Sequence, residues 1–405
     1  MIKWAQLTRF FKGDRVIWIV LLFLSLISLL IVYSATGSLA YRQAGGHTWY
    51  YLFKQIGLLV VGFIIMILQV NYLPVNVYSK ISPILIVISI GLILFSLVAG
   101  ITNEETGRTL NLGIISFQPA ELAKIALIAF VARVLATKQQ DKESRTSAFY
   151  IIIIVTAIIC GLISLVNFST SMLLFVTIMV MMFVGHISLK HLGSTVLACF
   201  LFVLILYLAA PILPKKLGRI QTVRARIERY INNDAEKVAK EKGLSQADYG
   251  KLAIYQGGLV GKGPGGSNVR NYMAAAYNDY IFAIYIEEYG LIGAFGVILL
   301  YLIFLYRGGI IIRRCTRTFP AFLVVGSIVL LALQAMINMG VAVGVLPDTG
   351  QPLPWISMGG TSTLFTAVSF GCILSVSYQN QKEKNNFEPV AALEAGSLPD
   401  EDQAL

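Results

Sequence analysis

Charge is scarce in this 405-residue chain: Asp, Glu, Lys and Arg make up 13% of it, about half the share usual in a soluble domain. Histidine occurs three times, at His47, His186 and His191, and the three form no ligand cluster. Cysteine occurs four times, at Cys160, Cys199, Cys315 and Cys372, in or beside separate apolar runs and without CxxC spacing. That pattern excludes a disulfide framework and a thiolate metal site, and leaves four small core residues. Hydrophobic residues, by contrast, reach 57%, more than a soluble globular chain needs. The expected fold is all-α, a polytopic membrane protein.

Apolar runs long enough for a bilayer of ~30 Å occur ten times. They are Val16–Ala35, Phe53–Val70, Ile81–Ala99, Ala120–Ala136, Phe149–Val166, Ser171–Val184, Gly193–Ala210, Ile281–Tyr306, Ala321–Val343 and Thr361–Val376. The fourth and sixth are the weakest. The net charge of +11 does not indicate nucleic acid, because the cations follow topology. Lys3, Arg9, Lys12, Arg15, Lys80, Lys138, Lys142, Arg145, Lys190, Arg307, Arg313, Arg314, Arg317, Lys382 and Lys384 all fall on one side. The positive-inside rule makes that side, and both termini, cytoplasmic. Two regions follow: a membrane domain over 1–380, and a tail over 381–405 that reads as disordered.

The segment 211–278 is far longer than a connection requires, and its first part is basic, with Lys215, Lys216, Arg219, Arg224, Arg226 and Arg229. Thr222–Lys242 has helical character. It is either a solvated helix over the membrane or a basic surface for an anion such as pyrophosphate. Further on, Gly261, Gly263 and Gly266 match GxGxxG, but no strand–turn–helix unit surrounds them. Lys262 is followed by Gly263 where a P-loop needs Ser or Thr. A tightly turned loop is the remaining reading.

Three stretches could carry chemistry. In "FQPAELAK", Pro119 suits a helix first turn, Glu121 sits where the dipole favours an anion, and Lys124 shares its face. This pair is either an internal salt bridge or the lining of a cavity open to the outside, with Arg108 at the same mouth. In "GVLPDTGQPLPWISMGGTS" the prolines and glycines forbid a regular helix. Such backbone at membrane depth must be covered by protein or line a wet cavity. Ser357, Thr361 and Ser362 are its hydroxyls and substrate-binding candidates; Gly359 and Gly360 support its shape. Gln334 and Asn338, four apart in the ninth span, read as interhelical hydrogen-bonding residues. In "YNDYIFAIYIEEYG", Asp279 falls at the external edge, about 12 Å along a helix axis from Glu287. Glu287 and Glu288 lie deeper and read as structural, with a bend possible at Gly290.

These stretches, in this order, closely resemble the SEDS family (shape, elongation, division and sporulation) of peptidoglycan polymerases, from the first span to the tenth. The glycine-rich loop and the EEYG form of the acidic segment resemble the division-type branch more than the elongation type. Ala120, Thr109, Asn278, Asp348 and Met358 depart from the family's frequent residues; none is the aspartate. The resemblance implies a glycosyltransferase that polymerises lipid II into β-1,4 glycan with inversion, for septal wall synthesis in the bacterial cytoplasmic membrane. It places the essential acid at Asp279, as the base for an acceptor hydroxyl. Arg108, Lys124 and loop arginines would stabilise the departing undecaprenyl pyrophosphate. No cofactor is required by the residues, though a divalent cation, Mg or Mn, could share that work. The expected partners are lipid II, the nascent strand, membrane lipid, a class B penicillin-binding transpeptidase and division-site proteins. The alternatives are a lipid II flippase, for which no inverted repeat speaks, and a recruiting scaffold, which would leave Glu121, Lys124 and Asp279 without a role.

Overall fold

The computed structural model describes residues 11–37, 39, 41, 47–102, 109–111, 116–139, 141–209, 244–273 and 276–395. Among these residues, ten apolar helices form the bundle: α1 (Arg15–Ala35), α2 (Thr48–Tyr72), α3 (Val75–Thr102), α4 (Pro119–Thr137), α5 (Lys142–Val166), α6 (Phe168–Val184), α7 (Leu189–Ala209), α9 (Ile281–Arg313), α10 (Thr318–Ala342) and α11 (Thr361–Ala395). Seven are long and apolar enough to cross a membrane; α4, α6 and α7 fall short of that measure, which matches two of the weak runs noted in the sequence. An additional helix, α8 (Gln246–Gly257), lies outside the apolar set, and a two-residue hairpin, β1 (Leu110–Asn111) with β2 (Ser116–Phe117), leads into α4.

The large faces of α2, α3, α5, α7 and α9 stay exposed and apolar, as at Phe53, Ile84, Ile154, Phe200 and Phe295. Such faces suit lipid. α10 and the first part of α11 are mostly buried and form the centre, with α2 along α11, α3 along α4, and α9 between α1 and α10. The start of α1 is fixed at one end of the bundle. Asp14 caps it by accepting from the amides of Val16 (2.9 Å) and Ile17 (3.1 Å), satisfying donors that a helix start leaves free. Arg307 of α9 clamps the same carboxylate at 2.5 Å, and Gln381 of α11 donates to the Gly13 carbonyl at 3.2 Å.

One expectation changes. α11 does not stop near Val376 but continues to Ala395, so 381–395 is helical where an irregular tail was expected. Glu383 helps to hold that extension, accepting from Gln379 one turn back (2.9 Å) and from Thr316 (2.6 Å). The basic part of the 211–278 segment, with its candidate helix, lies outside the described residues, as do 396–405.

The bend at Gly290 is present. Its φ of 69° and ψ of −173° lie where only glycine is comfortable, and the short helix 281–289 leads into the long span 291–313. The glycine-rich loop explains the bend. Loop and helix cross backbone on backbone: Leu291 and Ile292 donate to the carbonyls of Gly258 (3.0 Å) and Leu259 (3.2 Å), while Lys262 and Gly263 donate to Glu287 (3.0 Å) and Glu288 (2.9 Å). A Cβ at Gly290 would overlap the Leu259 carbonyl, and one at Gly261 the Glu288 carbonyl. The GxGxxG match therefore serves packing. Gly290→Ala is expected to cost about 3 kcal/mol or more, from the sum of backbone strain and overpacking, read as a lowered thermal midpoint in detergent.

Candidate functional site

The turn that carries Asp279 lies between Met273 and the first residue of α9. Tyr280 follows it as the helix cap. Asp279 is half-buried. Tyr277 beside it has its phenol pKa pushed up, by burial first and then by the Asp279 carboxylate. The turn is irregular, so its carbonyls need partners from elsewhere. All three come from distant parts of the chain. The Tyr277 carbonyl accepts from the Met358 amide (3.2 Å), the Asn278 carbonyl from Ser357 Oγ (2.8 Å), and the Asp279 carbonyl from Asn338 Nδ2 (3.0 Å).

Met358 and Ser357 belong to the proline- and glycine-rich stretch between α10 and α11, which is buried from Leu353 to Met358. Side chains of the spans satisfy its backbone. Gln334 donates to the Pro352 carbonyl (3.1 Å), Asn338 to that of Gln351 (2.8 Å), Tyr301 to that of Pro354 (2.5 Å) and Ser28 to that of Ile356 (2.7 Å). Trp355, at φ 67°, packs on Gly62 and donates its indole N–H to Ser25 (2.8 Å).

The three hydroxyls singled out as substrate contacts are all turned into the protein. Ser357 also accepts from the Leu353 amide (2.8 Å). Thr361 donates to the Ser116 carbonyl of β2 (2.9 Å) and Ser362 to the Gly359 carbonyl (2.9 Å). All three are buried. They build the wall of the site and do not face an open cleft, because the irregular loop needs them for its own backbone. Gly359 and Gly360 form the entry to α11, Gly360 at φ 57°.

Glu121 and Lys124 form a salt bridge of 2.8 Å with both side chains almost wholly buried. The pair also lines a narrow cavity, together with Leu330, Gln334, Phe365 and Ser369, with space for about one water molecule. The internal salt bridge is therefore present, and the pair also lines this small cavity. Gln334 on the cavity wall and Asn338 at the Asp279 turn are one helical turn apart on α10, roughly 6 Å along its axis. The same face of α10 thus carries one residue of the cavity wall and one partner of the Asp279 turn. Arg108 and the loop arginines lie outside the described residues.

The glutamates of α9 are buried and paired. Glu287, fully buried, accepts from Lys262 Nζ (2.6 Å), Ser267 Oγ (2.5 Å) and the Asn268 amide (3.1 Å). Glu288 meets Arg270 at 3.5 Å and hydrogen-bonds Ser34 of α1. Each glutamate thus ties the glycine-rich loop to the bundle. Lys262 as an ion-pair partner, and Arg270 and Ser267 altogether, were missed in the sequence, because separations of 18 to 25 residues carry no periodic signal.

The chain matches the family model described as "Cell cycle protein" (FtsW, RodA, SpoVE) over residues 14–382. It is 32% identical over 374 residues to a probable peptidoglycan glycosyltransferase FtsW of Saccharophagus degradans, covering 90% of this chain and 92% of that one. It is also 32% identical to stage V sporulation protein E of Bacillus subtilis, with 90% and 96% covered, and 27% identical to the peptidoglycan glycosyltransferase MrdB of Escherichia coli, with 90% and 93% covered. Among solved structures, a chain of a peptidoglycan synthase complex shares the fold at TM-score 0.69 and 23% identity, over 91% of this chain and 98% of that one. Thermus thermophilus RodA shares it at 0.60 and 22%, over 89% and 96%.

Removing one member of a buried ion pair leaves the other uncompensated. Lys124→Met alone is expected to cost about 3–5 kcal/mol, and Glu121→Gln together with Lys124→Met to recover most of it. Thermal unfolding of both proteins in detergent measures this, and equal midpoints would contradict the pair's burial.

Proposed function

The chain belongs to the FtsW/RodA/SpoVE family, and from that premise we propose that it is a peptidoglycan glycosyltransferase, polymerising lipid II at the outer face of the bacterial cytoplasmic membrane. The observation that carries this reading is the half-buried Asp279, set in a turn whose carbonyls are held by the buried loop and by Asn338 of α10. One positioned carboxylate suits glycosyl transfer by direct displacement.

In this proposal the 4-hydroxyl of the acceptor sugar approaches Asp279. Its proton passes to the carboxylate as the oxygen bonds to the donor's anomeric carbon. The bond from that carbon to the pyrophosphate oxygen breaks on the opposite face, so an α-linked donor gives a β-1,4 strand and undecaprenyl pyrophosphate leaves. Partial withdrawal from water favours a carboxylate as base. Lys124 supplies positive charge near the leaving group, together with Arg108 and the arginines of the large loop. A divalent cation, Mg or Mn, belongs to the same proposal as a companion of the pyrophosphate. Mg is usually held by one or two carboxylates together with substrate phosphates, and the pyrophosphate would supply the latter.

The chain is an integral membrane protein with ten apolar helices among the described residues. The Gln381–Gly13 contact puts the start of α1 and residue 381 of α11 at one end of the bundle, which supports both termini on one side, and the cation distribution supports a cytoplasmic side. A role at the division septum, with a class B penicillin-binding transpeptidase and division-site proteins as partners, completes the reading. A FtsW-named relative and the synthase complex among the structural neighbours support it.

The test is polymerisation of lipid II by the purified chain with its partner transpeptidase. Asp279→Asn keeps shape but not basicity, and is expected to abolish long strands at an unchanged thermal midpoint. Equal strands from both proteins would remove Asp279 from the chemistry. Failure of both, with lipid II flipping in liposomes, would favour the transporter.

A further inference from the structure

Three consecutive carbonyls, of Tyr277, Asn278 and Asp279, are held by Met358, Ser357 and Asn338, and helix α9 begins only after them. A carboxylate on an irregular turn would otherwise sample many orientations, because such backbone has no repeating hydrogen bonds of its own. We propose that Asn338 and Ser357 are positioning residues for Asp279, which fix the direction of its carboxylate by locking the turn's backbone to the buried loop. The inference rests on the reading of Asp279 as the base.

The geometry of Asn338 carries most of the argument. It is 1% exposed, and its single Nδ2 donates to two carbonyl oxygens, Asp279 (3.0 Å) and Gln351 (2.8 Å). Two acceptors facing one end of the amide determine which end is the nitrogen. Asn338 therefore bridges the acid's own residue to the buried loop, with nothing between. Ser357 makes a second bridge, accepting from Leu353 N (2.8 Å) while donating to the Asn278 carbonyl (2.8 Å). Both side chains act through backbone atoms, so neither need touch substrate.

A role in holding the loop alone must be separated from a role in aiming the acid. Tyr301 provides the control: it donates to the Pro354 carbonyl of the same loop (2.5 Å) and has no part in the three contacts at the Asp279 turn. Initial rates of lipid II polymerisation against lipid II concentration would be measured for the full chain with its partner transpeptidase, alongside thermal midpoints. Asn338→Ala and Ser357→Ala are expected to lower kcat roughly 10- to 100-fold, the scale of a small misplacement of a catalytic group, with KM changed less than about twofold. Tyr301→Phe is expected to keep the wild-type kcat with a midpoint lowered comparably, and Asp279→Asn to be inactive.

If Asp279→Asn is inactive but Asn338→Ala and Ser357→Ala keep the wild-type kcat, or if Tyr301→Phe falls with them, the positioning role is wrong and the base assignment stands. An active Asp279→Asn overturns the base assignment itself, and the positioning role with it. Ser357→Ala, which removes one oxygen, decides the matter on its own should Asn338→Ala not fold.

Discussion

Irregular backbone inside an apolar bundle must find its hydrogen-bond partners within the protein, and that constraint organises this molecule. The stretch from Gln351 to Ser357 meets it with donors from α1, α9 and α10: Ser28, Tyr301, Gln334 and Asn338. Each of these would be a liability facing lipid. Turned inward, each offsets the cost of a buried carbonyl. The polar residues of the spans and the prolines of the loop are therefore two halves of one arrangement. Its product is a stiff platform, on which Ser357 and Met358 reach the Asp279 turn.

Beside this platform, the glycine-rich loop is tied down by different means. Two fully buried or nearly buried glutamates, Glu287 and Glu288, draw in Lys262 and Arg270, and glycines let the loop backbone cross the helix at Gly290. Pairing is what makes such buried carboxylates tolerable. The three acids of this segment thus divide by environment. Two are buried and paired across to the loop, while the third, Asp279, is half-exposed.

Much of this was legible in the residue order. Pro119, Glu121 and Lys124 announce a helix start with an i,i+3 pair, and the pair forms at 2.8 Å. Gly290 announces a break between a short helix and a span. The hydroxyls misled, because Ser357, Thr361 and Ser362 look the same in sequence whether they face a ligand or a carbonyl. The partners of the glutamates were hidden for a related reason. Ion pairs across a loop depend on where two backbones meet, and nothing in spacing encodes that.

Hydrophobic run length and the placement of Lys and Arg are local quantities, and a bilayer reads them directly. By itself the sequence therefore determined the membrane class, the ten helices, the expected orientation and the family-like motifs around Asp279. Which side chains serve the backbone, and which remain for chemistry, was decided only by the tertiary structure. A buried carbonyl takes whichever donor the packing brings within about 3 Å; the Asp279 carbonyl takes Asn338, 59 positions away, and the Asn278 carbonyl Ser357, 79 positions away.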